Sequence, residues 1–189
     1  MNKQQFLQRF AFHHLNEITH TYQHNGELKH AGVLIPLVQT YDGIEVVLTQ
    51  RANHLKHHAG QISFPGGKVE ETDIDVVETA LREAEEEIGL SRKDVDIIGQ
   101  LKQYHTITGY LITPIVGFIP KNYAFKADDN EVAEIFHVPF SHFIDENNHL
   151  SYELKRNGIK QNIYFMPYLN YNIWGATAAI LKDLVSHLK

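Results

Sequence analysis

The sequence predicts an α/β fold of the α+β kind, in which a mixed β-sheet carries helices on both faces in one domain spanning residues 1–189. Three observations carry this expectation. Asp42-Gly43 and Asn157-Gly158 each lie between apolar runs, the mark of two-residue hairpin turns. Such turns join antiparallel strands, so a doubly wound parallel sheet is disfavoured. Helix-like apolar spacing recurs near the start, in the middle and at the end of the chain. The order is therefore helix, hairpin, strand, helix, strands, hairpin, helix, and the 43% hydrophobic content is ample for a sizeable core.

Each element follows from local pattern. Residues 1–24 place Phe6, Leu7, Phe10, Ala11, Leu15 and Ile18 at helical intervals, which predicts an amphipathic helix packed on the domain. Polar and charged residues interrupt it, so it is no secretory core, and no stretch reaches the roughly 20 apolar residues of a membrane span. Residues 31–39 and 44–50 form the first hairpin. A polar loop at 51–59 holds Arg51, Lys56 and the pair His57-His58. A short strand at 62–64 then runs into Pro65-Gly66-Gly67, where glycines leave room beside the main chain.

A helix follows, with Thr72 or Asp73 expected as its N-cap and Gly89 as its left-handed C-terminal residue. Val77, Leu81, Ala84 and Ile88 make its core-facing stripe. Residues 95–103 and 111–119 read as strands joined by a loop with Thr106, Thr108, Gly109 and Tyr110. The turn Asp128-Asp129-Asn130-Glu131 leads into the apolar run at 132–138. Residues 150–155 and 159–166 form the second hairpin. A last helix spans 173–188, with Trp174 near its start expected in the core.

Composition excludes several functions. The net charge of −6 argues against a non-specific nucleic-acid or anionic-membrane binder. The absence of cysteine removes disulfides, thiolate metal sites and cysteine nucleophiles, and it fits a cytoplasmic protein. Thirteen histidines, among them His13-His14 and His57-His58, show no zinc spacing. A small-molecule substrate is the expected partner, and a homodimer is left open.

Chemistry concentrates on the middle helix. Glu83, Glu86 and Glu87 collect on one flank, while Glu85 points away. Like charges one turn apart destabilise a helix by about 0.2–0.5 kcal/mol per pair, so the cluster needs a reason beyond solvation. A glycine pair feeds the same helix, and Arg82 adjoins the acids as a cation able to clamp one of them. Oxygen-only ligands suit Mg²⁺ or Mn²⁺.

Arg82-Glu83-Ala84-Glu85-Glu86-Glu87-Ile88-Gly89-Leu90 resembles the second half of the Nudix box, the signature of hydrolases that cleave nucleoside diphosphates linked to another moiety. The general pattern puts a Glu eight residues before the Arg, where this chain has Ile74. Its loop is one residue longer, with Glu70, Glu71 and Asp73 nearby. A second resemblance explains the length. Leu48-Thr49-Gln50-Arg51-Ala52, Leu55, His58, Gly60 and Phe64-Pro65-Gly66-Gly67, then Glu70 and Asp73, are similar to the extended signature of the coenzyme A pyrophosphatase branch. Thr108-Gly109-Tyr110, Thr113-Pro114 and Trp174-Gly175 with Thr177 add to it, so the likeness runs from about residue 30 to the end.

The resemblance implies a Nudix-like α/β/α sandwich and a metal-dependent pyrophosphatase. Mg²⁺ or Mn²⁺ would be held by Glu83, Glu86 and Glu87, with Arg82 fixing the acids. Either Glu86 or Glu131 would take a proton from water, Asp129 being a weaker candidate than Glu131. Arg51, His58, Gly66, Gly67 and Tyr110 would meet the substrate. Coenzyme A would yield 4'-phosphopantetheine and adenosine 3',5'-bisphosphate. The rival substrates are ADP-ribose and dinucleotides. A rival class is a non-catalytic nucleotide sensor, which would have little need of three intact acids.

Overall fold

The computed structural model describes residues 1–12, 26–55, 58–156 and 159–189. In chain order, α1 (Lys3–Phe12) precedes β1 (Lys29–Gln39), β2 (Ile44–Arg51), β3 (Ile62–Ser63) and β4 (Gly66–Lys68), which leads into α2 (Val76–Ile88). Then come β5 (Asp96–Gln100), β6 (Tyr104–His105), β7 (Tyr110–Ile119) and β8 (Val132–Pro139). A short α3 (Phe140–Ile144), the strands β9 (Leu150–Arg156) and β10 (Ile159–Phe165), and α4 (Ala176–His187) complete the chain.

The sheet is built around β1, which has partners along both edges. On one edge β7 runs parallel to it, from Lys29 opposite Tyr110 to Val38 opposite Ile119. On the other edge β4 pairs antiparallel with residues 31–33 and β2 with residues 37–39. Beyond β2 lies β8, and β5 and β6 pair antiparallel with β7. The sheet is thus mixed, as the hairpin argument expects.

Alternate residues of the central strands enter opposite cores, because side chains on a strand point to opposite faces. Ile35, Leu37, Val46, Leu48, Val116 and Phe118 pack with α1, α3 and α4. Leu34, Val38, Val47, Ile115 and Ile119 pack with Ala80, Ala84 and Ile88 of α2. Helices therefore cover both faces. Phe6 anchors α1, fully buried and edge-on to Phe118 at 5.4 Å. The part of the N-terminal helix expected around Leu15 and Ile18 lies outside the described residues. So does the Asn157-Gly158 turn, although β9 and β10 on either side of it pair antiparallel. Among the described residues no helix is long and apolar enough to cross a membrane.

Four local expectations are corrected. Asp75 caps α2, accepting the Glu78 N–H at 2.8 Å, in place of Thr72 or Asp73. The buried stripe runs through Ala80, Ala84 and Ile88, with Leu81 only half-buried. It lies close to β1 because position 32 is glycine: a Cβ there would stand 2.6 Å from the Val76 carbonyl. The strand expected at 95–103 ends at Gln100 as β5, and β6 forms beyond it at 104–105. Leu101 donates to the Pro114 carbonyl at 2.9 Å, but Pro114 has no N–H to return, so the ladder fails there. Finally α4 starts at Ala176, and Trp174 lies outside it, 39% exposed. By contrast Gly89 closes α2 as expected, at φ 65°, with its N–H on the Glu85 carbonyl at 3.1 Å.

Candidate active site

The loop from residue 64 to 75 folds back against α2, and that packing organises the acids. Arg82 is the hub. Its Nε and one terminal nitrogen grip both oxygens of Asp73 at 2.9 and 3.1 Å, a bidentate pair. The remaining terminal nitrogen reaches Glu83 at 2.9 Å and Glu86 at 3.0 Å, and the Lys68 carbonyl accepts a further bond at 3.2 Å. Asp73 also accepts from the Glu70 N–H and the Thr79 hydroxyl, and its side chain is 2% exposed. The Arg82 guanidinium holds the Asp73 carboxyl well below the usual carboxylate range, and Asp73 raises Arg82 in return.

This identifies the upstream acid. Ile74, in the place of the general pattern's Glu, is 90% exposed, and it is Asp73 that Arg82 grips. The longer loop moves the partner of Arg82 one residue back, to Asp73. Sequence reasoning names Asp73 as a candidate N-cap and as one of the acids near the Ile74 position, without pairing it with Arg82. The signal that could have found it was the single-residue offset combined with the need of a buried guanidinium for a partner.

Among the acids of α2, Glu87 is the most buried, at 4% exposure, against the Gly66 strand of the sheet. Its partners are weak: the Gly66 N–H at 3.3 Å and an Arg51 nitrogen at 3.6 Å. Burial pushes its carboxyl up to about 8, with the charges of Glu83 and Glu131 adding to the rise and Arg51 opposing it. Glu83 is also raised, chiefly by burial, against the pull of Arg82. Glu86 stands at the rim with its side chain 60% exposed. Glu85 turns away to Arg92, as expected.

The glycine pair has a more specific reason than general clearance. A Cβ on Gly66 would lie 2.5 Å from the Gly32 carbonyl, and one on Gly67 would lie 2.3 Å from a Glu83 carboxylate oxygen. Gly66 therefore lets β4 pair closely with β1, and Gly67 makes the hollow that Glu83 fills.

The structure brings Arg51, Gly66, Gly67, Arg82, Glu83, Glu86 and Glu87 together, and Glu131 lies close enough for its charge to act on Glu83 and Glu87. The Glu131 backbone is fixed through its carbonyl, which accepts from Ala52 at 2.8 Å. Asp129 is exposed and does not enter this set. His58 and Tyr110 stand apart, neither making a hydrogen bond or ion pair to an acid of the cluster among the described residues. His58 bonds Gln61 at 2.6 Å beside a cleft of about 350 Å³, and Tyr110 lies under the Lys29 ammonium at 5.7 Å.

Among the described residues no three acidic or histidine side chains converge as ligands of one ion. The donor set nevertheless fits a hard divalent cation. Glu87, buried with an elevated pKa and only long contacts to protein groups, offers oxygens that no protein donor closely satisfies.

Residues 28–157 match the NUDIX domain family model. The chain is 38% identical over 173 residues to a protein of Yersinia pestis (strain Pestoides F) described as uncharacterized Nudix hydrolase NudL, covering 92% of this chain and 86% of that one. A MutT/nudix family protein from Enterococcus faecalis aligns with a TM-score of 0.55 at 16% identity, over 97% of this chain and 68% of its own. The Nudix hydrolase RenU from M. smegmatis aligns at 0.52 and 19% identity, over 62% and 74%. These two likenesses concern the fold.

Proposed function

Because the chain belongs to the Nudix hydrolase family, whose members act on pyrophosphate bonds, we propose that its substrate is coenzyme A or a coenzyme A derivative. Water adds across the P–O–P bond, giving 4'-phosphopantetheine and adenosine 3',5'-bisphosphate. The observation that carries this reading is the pairing of Asp73 with Arg82. It gives a structural role to the lengthened loop that the extended signature shares with the coenzyme A pyrophosphatases. Arg51, from the same signature, reaches toward Glu87 and is the cation suited to orient a diphosphate beside the acids.

Nudix hydrolases generally use divalent ions. Glu83, Glu86 and Glu87 would hold Mg²⁺ or Mn²⁺, which when bound would neutralise diphosphate charge and lower the pKa of the attacking water. Arg82 positions the acids and does not touch substrate, since Asp73, Glu83, Glu86 and the Lys68 carbonyl occupy its nitrogens. Glu131 or Glu86 accepts the proton of that water. The charge that Glu131 exerts on Glu83 and Glu87 supports it for this role.

The test is product analysis. Purified protein with Mg²⁺ or Mn²⁺ is offered coenzyme A, ADP-ribose, NADH and diadenosine polyphosphates, and the products are identified by mass. Preferential release of 4'-phosphopantetheine is expected. Turnover of ADP-ribose or a dinucleotide with coenzyme A left intact would replace the substrate assignment.

Proton coupling gives a separate check. A carboxyl with a metal-free pKa of about 8 is protonated at neutral pH, and a cation binds its ionised form. Metal uptake at pH 7 is therefore expected to release about one proton, and apparent affinity should rise with pH up to about 8 and then level. Calorimetry in buffers of different ionisation heat measures this directly. Proton-free binding at pH 7 would remove Glu87 from the ligand set.

A further inference from the structure

A cleft of about 350 Å³ opens between Gln50, the loop at 58–62 and the turn at 170–174. Gln50 precedes Arg51 on β2, and successive strand residues face opposite ways, so the cleft shares the strand end from which Arg51 reaches Glu87 but opens on the other face of the sheet. We infer that this cleft receives the amide-bearing arm of the substrate, which on the coenzyme A reading above is the pantetheine chain, while the diphosphate lies at the acids.

The chemistry of the lining selects that arm over a phosphate or a charged nucleotide end. Among the described residues none of its lining side chains is Asp, Glu, Lys or Arg, and four are the amides of Gln50, Gln61, Asn170 and Asn172. Phosphates call for cations, whereas amide side chains match the donors and acceptors of another amide. His58 Nδ1 lies 2.6 Å from Gln61 Oε1, and Gln50 Nε2 reaches the Gly60 carbonyl at 3.5 Å. These contacts turn the Gln61 amide nitrogen and the Gln50 amide oxygen to other partners. Trp174, stacked on Phe165 at 6.2 Å and 39% exposed, supplies an apolar wall for the aliphatic parts of such a chain.

The walls are also fixed in advance. Tyr171 stacks on Phe136 at 3.7 Å and donates its hydroxyl to Glu134 at 2.7 Å. Tyr168 and Tyr171 exchange backbone hydrogen bonds of 2.9 and 2.8 Å, closing the turn that presents Asn170. Leu169 in that turn has φ 50° and His58 across the cleft has φ 58°, both in the left-handed region that non-glycine residues seldom adopt. Strain held on both sides of one cleft marks it as a place where geometry is maintained for a ligand. Ordering these groups beforehand lowers the cost of binding a flexible chain.

Trp174 is the single tryptophan of the chain, so its fluorescence reports on this cleft. Pantetheine titrated into the metal-free full-length protein is expected to change that fluorescence saturably, while adenosine 3',5'-bisphosphate is not. Asn170→Ala and Gln61→Ala should each weaken the apparent affinity by about ten-fold, the worth of one hydrogen bond. No saturable response to pantetheine, or an equal response to the bisphosphate, would overturn the assignment. The two readings fail separately. Pantetheine binding without coenzyme A cleavage leaves the arm's cleft standing and removes the reaction, whereas cleavage without a Trp174 response removes the cleft and leaves the reaction.

Discussion

Glu87→Gln is expected to lower the metal-dependent hydrolytic rate by roughly a hundred-fold or more, the range that loss of a metal ligand or of acid–base function produces. The same substitution is expected to stabilise the metal-free protein at alkaline pH. The sign follows from the raised carboxyl. Below the ordinary carboxylate pKa, Glu87 is protonated both folded and unfolded, and it contributes no pH dependence. As pH rises toward about 8, the unfolded chain ionises this group while the folded one holds the proton, so folding is progressively penalised. An amide carries no such penalty and still accepts the Gly66 N–H, which lies 3.3 Å from the carboxylate oxygen. Activity and melting temperature should therefore move in opposite directions at pH 8 to 9. Hydrolysis assays with Mg²⁺, run beside thermal unfolding in chelator, read both quantities. A rate within a factor of two of the parent would remove Glu87 from the active site, and a lower melting temperature would mean that its role is structural.

The contrast between Glu87 and its neighbours shows how far a linear reading carries. A helical wheel places Glu83, Glu86 and Glu87 on one flank and Glu85 off it, and the structure keeps that division. Burial is another matter. Glu87 is enclosed because β4 pairs with β1 through Gly66 and Gly67, a long-range arrangement that helical period does not encode. The hairpin at 39–44 and the Gly89 terminus are legible because each depends on a few adjacent residues. The N-cap was obscure because Thr72, Asp73 and Asp75 are all chemically able to cap. The choice fell to Asp75 once Asp73 had been drawn off by Arg82, nine residues away. The cleft beside Trp174 was hidden for a similar reason. Its two sides, at 58–62 and 170–174, meet only through the packing of the sheet against the last helix, where buried Thr177 donates to the Ile62 carbonyl at 3.0 Å.

Asp73→Ala carries the second large expectation, a loss of about 3 kcal/mol of stability together with most of the activity. Removing one partner of a buried ion pair leaves the other charge uncompensated, which typically costs about 3–5 kcal/mol. The lower end applies because Arg82 keeps Glu83 and Glu86 as partners. For a chain of this size the melting temperature should fall by roughly 10 °C. Activity should fall as well, since a guanidinium released from Asp73 can pull Glu83 and Glu86 out of position. The acid arm of the stability curve separates this pair from its surroundings. The depressed Asp73 carboxyl stabilises the parent fully above the ordinary carboxylate range, and that contribution is lost only as pH falls below it. The variant should therefore lose part of its sensitivity in strongly acidic solution. Adding Ile74→Glu to the variant places an acid at the position of the general family pattern. Because Ile74 faces solvent, the double variant should recover neither stability nor rate. Recovery of both would show that the loop can shift its register by one residue, and that the offset does not fix which acid holds Arg82.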